Sequence, residues 1–301
     1  MVEPGPPEPS AVAPQTSGYT GRFAPSPTGP LHLGSLVSAL GSWADAKHHN
    51  GKWIVRVEDI DPARESPEAT QQILASLKAH HLHWDDDVTY QHSHSDRYDR
   101  ALDSLRHQNR LYACTCTRKN LRTLERSDYP GICRSLQHEE LDRALRLLVD
   151  PETIEFSDLV CGAFSENVAE TVGDFIIRRR GPLYAYQLAV VVDDAKQSIS
   201  HVVRGADLLD NTARQIVLQR QLGLPTPVYL HLPLTLDAQG RKLSKQTGAK
   251  ALDNHRTADN LRLAWTLLGQ TPPPKSANTC ETILDHCQNA WNRKTIPPSC
   301  I

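Results

Sequence analysis

The sequence predicts an α/β fold built on a parallel sheet, and three observations carry that expectation. Tyr19 to Pro25 reads as a short apolar strand, Leu36 to Lys47 repeats its apolar residues at helical spacing, and Lys52 to Val57 is strand-like again. Between the first strand and the helix, Pro25, Pro27 and Pro30 fix φ and withhold N–H groups, so this segment is a stiff turn. Glu58 to Asp61, Glu-Asp-Ile-Asp, lies just past the carboxyl end of the second strand, the edge at which open parallel sheets bind ligands. Strand, helix and strand in this order describe a Rossmann-like nucleotide fold.

The turn, Arg22 to Ser35, reads RFAPSPTGPLHLGS. Ser35 is placed to cap the helix, whose first N–H groups and positive dipole end would then point back at the turn and suit phosphate. His32 stands beside that end. Further along, Pro67 to Leu82 is an amphipathic helix with Ile73, Leu74, Leu77 and Leu82 on one face, and Asp96 to Gln108 is another. Glu152 to Phe164 alternates loosely as a strand pair, and Gly173 to Arg178 is strand-like. Arg204 falls at a strand's carboxyl end before a helix from about Leu208 to Leu222. Val228 to Leu234 reads as the last strand, and helical patterns recur near Ala258 to Leu268 and Cys280 to Trp291.

Cys114 and Cys116 are one residue apart, and Cys133 follows after a loop. Three such thiols suit tetrahedral zinc, for which thiolate is a preferred ligand. Tyr129, His138 and water compete for the fourth position. A structural ion is expected, because no water-activating base clusters with the thiols. Arg110 to Arg134 carries Arg110, Arg118, Lys119, Arg122, Arg126 and Arg134 against Glu125 and Asp128, which serves either a phosphate backbone or a solvated helix face.

The 301 residues have a formal net charge of −2, which excludes a strongly basic nucleic-acid coat but not a local patch. No apolar run is long enough to cross a membrane. The first seventeen residues are rich in Pro, Ser and Ala and lack a basic start and an apolar centre, so they read as a disordered tail and not as a secretory signal. Seven unevenly spaced cysteines argue against a disulfide framework and for a cytoplasmic location.

RFAPSPTG followed by His32 and Gly34 resembles the first signature of class I aminoacyl-tRNA synthetases in its glutamyl form, with Ser35 at the place of the signature's second histidine. Arg56 to Asp61, Tyr186 and Gln187 with Asp193 and Asp194 downstream, and Ile199 to Leu209 resemble further segments of that family. Lys242-Leu-Ser-Lys-Gln246 resembles its second signature, with Leu243 and Gln246 in place of the usual Met and Ser. The resemblance spans about residues 19 to 270 and implies a class I synthetase catalytic core. It implies that Arg22, Phe23, Ala24, Pro25, Ser26, Glu58, Tyr186 and Arg204 hold L-glutamate, Glu58 by its α-ammonium. It implies that His32, Gly34, Ser35 and Lys245 meet ATP with Mg²⁺, and that His32, Lys242 and Lys245 serve catalysis. Physical chemistry agrees with such a set, since two guanidinium forks and one carboxylate discriminate an acidic amino acid by paired charge.

The glutamyl-queuosine branch of the family carries Cys-x-Cys…Tyr-x3-Cys, which implies a zinc site at Cys114, Cys116, Tyr129 and Cys133. Beyond Gln246 the chain is too short for the anticodon-binding domain of ordinary glutamyl-tRNA synthetases. The resemblance therefore implies activation of glutamate and its transfer to queuosine in the anticodon of tRNA(Asp). A compact enzyme charging a tRNA 3′ end and an inactive RNA-binding relative are the alternatives. The expected organisation is a tail at 1–18, the first half of the catalytic domain at 19–110, an inserted α+β zinc-containing and acceptor-type subdomain at 111–180, the second half at 181–250 and a short helical segment at 251–301. A monomer is expected.

Overall fold

The computed structural model describes residues 18–236 and 250–298. Strand β1 (Thr20–Phe23) runs into the proline-rich turn and then helix α1 (Leu33–His48). The helix begins earlier than the sequence suggests. His32 is extended, at φ −118° and ψ 174°, and its Nδ1 accepts from the Ser35 N–H, so His32 and not Ser35 is the cap. Strand β2 (Lys52–Val57) lies parallel to β1, from Thr20 beside Lys52 to Phe23 beside Val55.

Helix α2 (Pro67–Ala79) is capped by Ser66, which accepts from the Ala69 N–H. It stops short of Leu82 because His81 turns left-handed and the Leu82 N–H folds back to the Leu77 carbonyl. Short β3 (Thr89–Tyr90) and helix α3 (Ser95–His107) follow. Strand β4 (Leu111–Cys114), helix α4 (Arg118–Arg122), strand β5 (Ala144–Leu147), the hairpin of β6 (Thr153–Asp158) and β7 (Gly162–Asn167), helix α5 (Val168–Thr171) and β8 (Ile176–Arg178) occupy the middle of the chain. Helix α6 (Tyr186–Lys196) and β9 (His201–Gly205) return to the sheet. The helix expected from Leu208 begins as a 3-10 segment, Ala206–Asn211, and becomes α7 (Thr212–Leu222). Strand β10 (Val228–Leu232), α8 (Thr257–Leu267) and α9 (Cys280–Ala290) complete the order.

The main sheet has the order β3-β2-β1-β9-β10-β6-β7. Its neighbours are parallel except for the β6–β7 hairpin. The middle segment thus contributes its hairpin to the main sheet and a separate antiparallel sheet, β4-β5-β8. Period-two alternation divides the core between the two faces. Trp53, Val55, Val203, Leu230 and Leu232 join α1, α8 and α9 on one side. Ile54, Val202 and Tyr229 join α3, α6 and α7 on the other. At Gly41 of α1 an added Cβ would lie 2.6 Å from a Leu232 methyl, so glycine lets the helix approach β10.

The segment after α9 folds back on α1. Buried Asp45 accepts from Trp291 Nε1 at 2.7 Å and from Arg293 Nε at 2.6 Å, and Tyr19 donates its hydroxyl to the same carboxylate. Burial pushes the Asp45 carboxyl up, but Arg293 outweighs that and holds it below the ordinary carboxylate range. Among the described residues no helix is long and apolar enough to cross a membrane.

Candidate functional site

Strand order reverses between β1 and β9, and a cavity of about 670 Å³ opens at the carboxyl ends of the strands there. Arg22, Phe23, Ala24, Pro25, Ser26, His32, Gly34, Ser35, Glu58, Tyr186 and Arg204 all line it. The structure thus gathers residues spread over more than 180 positions. Lys242 and Lys245 lie outside the described residues. The Leu252 N–H donates to the Leu31 carbonyl and Ala251 bridges His32, so the chain beyond those lysines re-enters beside the signature turn.

The two guanidiniums are held differently. Arg22 is 3% exposed and donates from Nε to Asp194 at 3.3 Å and from Nη1 to the Val203 carbonyl at 3.4 Å. A guanidinium has five N–H groups, so three of Arg22's have no protein partner among the described residues. Arg204 is nearly saturated. It donates from Nε to His231 Nε2 at 3.0 Å, from Nη1 to Gln215 at 2.8 Å, and from Nη2 to the Leu208 carbonyl at 3.1 Å and the Thr212 hydroxyl at 2.8 Å. Gln215 in turn donates to Gln187, and Gln187 to Asn211. Arg204 is a rigid wall with one N–H to spare, and Arg22 is an open fork.

Glu58 sits at the mouth of β2, with Oε1 3.2 Å from Nη2 of wholly buried Arg56. Burial pushes its carboxyl above the ordinary range, and Arg56 and Arg22 offset only part of that. Asp194 goes the other way. Burial opposes its ionisation, but Arg56 Nη1 at 2.7 Å and Arg22 hold it below the ordinary range. Asp194 is thus bound by two arginines, whereas Glu58 pairs with Arg56 through Oε1 alone. The Tyr186 hydroxyl makes no hydrogen bond among the described residues, and burial raises its pKa. Because His32 Nδ1 accepts from Ser35, the neutral ring carries its proton on Nε2. The first-turn N–H of Ser35 is spent on that cap and that of Leu33 faces the strand-like pairing with Ala251, so Gly34 offers the remaining first-turn N–H.

A second cluster lies in the middle segment. The sulfurs of Cys114, Cys116 and Cys133 are within 4.8 Å of one another, and those of Cys116 and Cys133 are 3.6 Å apart. Tyr129 Oη is 3.5 Å from Cys114 Sγ and 3.7 Å from Cys116 Sγ. Zinc–sulfur bonds of about 2.3 Å at tetrahedral angles put neighbouring ligand atoms about 3.8 Å apart, so the four atoms fit one zinc-sized ion. His138 bonds Thr115 instead, and among the described residues no histidine or carboxylate joins the three sulfurs. Gly173 makes the arrangement possible, since at φ +72° it lets the backbone pass where an added Cβ would lie 2.2 Å from the Tyr129 carbonyl oxygen. Burial pushes the Cys133 thiol up, but hydrogen bonds from Thr115 and Tyr129 outweigh it and hold it near about 6. Buried Arg146 donates to Cys114 Sγ at 3.2 Å and lies 3.5 Å over the Tyr129 ring.

The sequence reading did not single out His231 and Asp158. His231 sits inside an apolar strand and Asp158 at a hairpin, and nothing local in either place marks a partner 73 residues away.

The fold and this cavity define a class I synthetase catalytic domain, and comparison with known proteins agrees. The family of class I tRNA synthetases (E and Q), catalytic domain, matches residues 19–271. A glutamyl-Q tRNA(Asp) synthetase of Burkholderia cenocepacia is 47% identical over 292 residues, covering 93% of this chain and 98% of that protein. One from Cupriavidus metallidurans is 52% identical over 262 residues, covering 83% and 84%. Among solved structures, a glutamate tRNA ligase from Elizabethkingia meningosepticum in complex with its amino acid shares the fold, with a TM-score of 0.79 at 24% identity. That match covers 93% of this chain and 66% of the longer ligase. The chain belongs to the class I tRNA synthetases of the E and Q type and, within them, to the glutamyl-Q tRNA(Asp) synthetase family.

Proposed function

We propose that this chain activates L-glutamate with ATP and transfers the glutamate to the cyclopentene diol of queuosine in the anticodon of tRNA(Asp). The observation that carries the activation step is one cavity faced by two buried guanidiniums, Arg22 and Arg204, and by the carboxylate of Glu58, which Arg56 holds by one oxygen. The names of the relatives supply the acceptor.

In this reading the open fork of Arg22, with Arg204 and the Tyr186 hydroxyl, takes the carboxylates of glutamate, and Glu58 takes its α-ammonium. Phe23, Ala24, Pro25 and Ser26 form the wall of the turn around it. An oxygen of the α-carboxylate attacks the α-phosphorus of ATP in line. The bond to the β-phosphate bridging oxygen breaks, and pyrophosphate leaves with its electron pair. No protein nucleophile is needed, so positioning and charge carry the rate. His32 Nε2–H and the N–H groups at the start of α1, beside Gly34 and Ser35, face the phosphates, with Mg²⁺ accompanying ATP. Lys242 and Lys245 are assigned to the leaving pyrophosphate on their motif alone. A diol oxygen of queuosine then attacks the mixed anhydride, AMP leaves, and the hydroxyl proton is lost. Cys114, Cys116, Cys133 and Tyr129 would hold one zinc ion that ties the segment between β4 and β5 together. The cytoplasm, where charged and modified tRNA circulates, is the setting this reading implies.

The test is transfer of labelled glutamate in the presence of ATP to tRNA(Asp) lacking its 3′-terminal adenosine. Label is expected on queuosine-containing tRNA and not on the same tRNA without queuosine. Label found only on tRNA with an intact 3′ end would instead establish 3′-end charging.

A pH effect follows from Glu58. Its carboxyl must be ionised to pair with the ammonium, and its pKa is raised. The KM for glutamate is therefore expected to climb as pH falls from about 8 towards 5, starting above the ordinary carboxylate range. Glu58→Gln should give a high KM that no longer responds to pH. A wild-type KM that stays flat over this range would remove Glu58 from ammonium binding.

A further inference from the structure

We infer that Asp158 and His231 form a positioning dyad for Arg204, an imidazole-bridged ion pair that fixes the guanidinium at the amino-acid end of the cavity. The inference rests on the reading above that Arg204 meets glutamate.

Three adjacent strands bring the residues together. His231 on β10 is in register with Arg204 on β9, and Asp158 ends β6, which pairs with β10 on its other side. Arg204 Nε–H can only donate, so His231 Nε2 at 3.0 Å accepts. The neutral ring then carries its proton on Nδ1, which donates to Asp158 Oδ2 at 2.7 Å. One tautomer satisfies both neighbours, and a doubly protonated ring would set two donors against each other. Burial, with Arg204 close by, lowers the histidine pKa and agrees with a neutral ring.

Both side chains of the dyad are fully buried, and neither lines the cavity, so they act through Arg204 and not on a ligand. An apolar residue at 231 would fill the same space but leave a buried guanidinium N–H and a buried carboxylate oxygen without partners. The Asp158 carboxylate is itself immobilised, since Oδ1 accepts from the N–H groups of Val160 at 3.0 Å and Cys161 at 2.8 Å. The contacts to Gln215, Leu208 and Thr212 hold the Nη end of Arg204 with neutral groups only. The dyad holds the Nε end and brings the countercharge.

The two cavity guanidiniums are thereby built on one plan. Arg22 has Asp194 directly behind it, and Arg204 has Asp158 behind it with a ring between. Interposing the ring lengthens the charge separation and weakens the internal pairing, which leaves more of the Arg204 charge for a ligand carboxylate.

The experiment measures glutamate-dependent pyrophosphate exchange by the full chain, with separate KM values for glutamate and ATP. The variants are His231→Leu, His231→Gln, Asp158→Asn and Arg204→Ala. His231→Leu is expected to raise the glutamate KM about ten- to hundred-fold with the ATP KM unmoved. His231→Gln keeps an acceptor for Arg204 and a donor for Asp158 and should recover most of the loss. Asp158→Asn keeps the shape, removes the charge and should raise the glutamate KM several-fold even if the leucine variant does not fold. The double variant His231→Leu with Arg204→Ala should be no worse than Arg204→Ala alone, because the dyad has nothing left to position. If Arg204→Ala raises the glutamate KM and the 158 and 231 variants do not, the dyad is overturned and the glutamate reading survives. A loss shared equally by both KM values, or seen only as lower thermal stability, overturns it as well. Arg204→Ala with an unchanged glutamate KM overturns the reading of Arg204 itself.

Discussion

Arg22→Leu is expected to reduce glutamate-dependent pyrophosphate exchange by about a hundred- to several thousand-fold in kcat/KM. Arg22 has three N–H groups without a partner among the described residues, on a side chain almost wholly out of water. Removing it would leave a substrate carboxylate buried and unpaired, a loss of about 3–5 kcal/mol. Arg22→Lys restores the charge without the planar fork and should fall between the two. The protein should still fold, because Asp194 keeps its 2.7 Å contact to Arg56. A melting temperature within a few degrees of wild type, read with the exchange assay, separates lost binding from lost structure. Exchange near the wild-type rate in folded Arg22→Leu would show that the acidic substrate does not use this fork.

The second large effect concerns the cysteine cluster. The chain is expected to carry one zinc ion, and Cys133→Ala, or a strong chelator, should release it. The segment from Thr115 to Arg143 buries only Tyr129 and Cys133, which meet Cys114 of β4 at the cluster, and leaves Leu124, Ile132, Leu136 and Leu141 exposed. Such a segment has too little apolar core to order itself, and a structural zinc supplies of order 10 kcal/mol of local folding energy. Metal loss should therefore erase hydrogen-exchange protection around Tyr129 and the neighbouring strand β4 while β1 and β2 stay protected. Arg146→Met should weaken zinc retention against a chelator, because three thiolates outweigh a dication and this guanidinium lies against them. Metal analysis showing no bound zinc in the purified wild-type chain would reject the assignment.

Much of the fold was legible because its elements are locally encoded. The strand at Lys52 to Val57 and the helix beginning at Pro67 are found where their residues place them, and the strand expected at Val228 to Leu234 ends two residues early, at Leu232. The gathered residues of the cavity were legible through the resemblance of their segments to the synthetase signatures, and most of them lie within a few positions of strand ends that the parallel sheet aligns at one edge. What escaped was pairing over distance. Asp194 is 172 residues from Arg22, and Asp158 is 73 from His231, so no window of sequence contains both partners. The start of α1 escaped because a histidine ring nitrogen took the role expected of a serine hydroxyl. The tie between Tyr129 and the thiols depends on a backbone approach at Gly173, 44 positions on, which no spacing rule expresses.

The carboxylate of Asp45 belongs to the first helix, yet two of the groups that satisfy it, Trp291 and Arg293, follow 246 and 248 residues later in the chain. During synthesis that acid would lack its counterion until Arg293, 248 residues later, had been made. Helix α1 therefore gains its last buried partners only from a segment made much later, and the N-terminal part of the sheet is sealed by distant chain and not by its own neighbours.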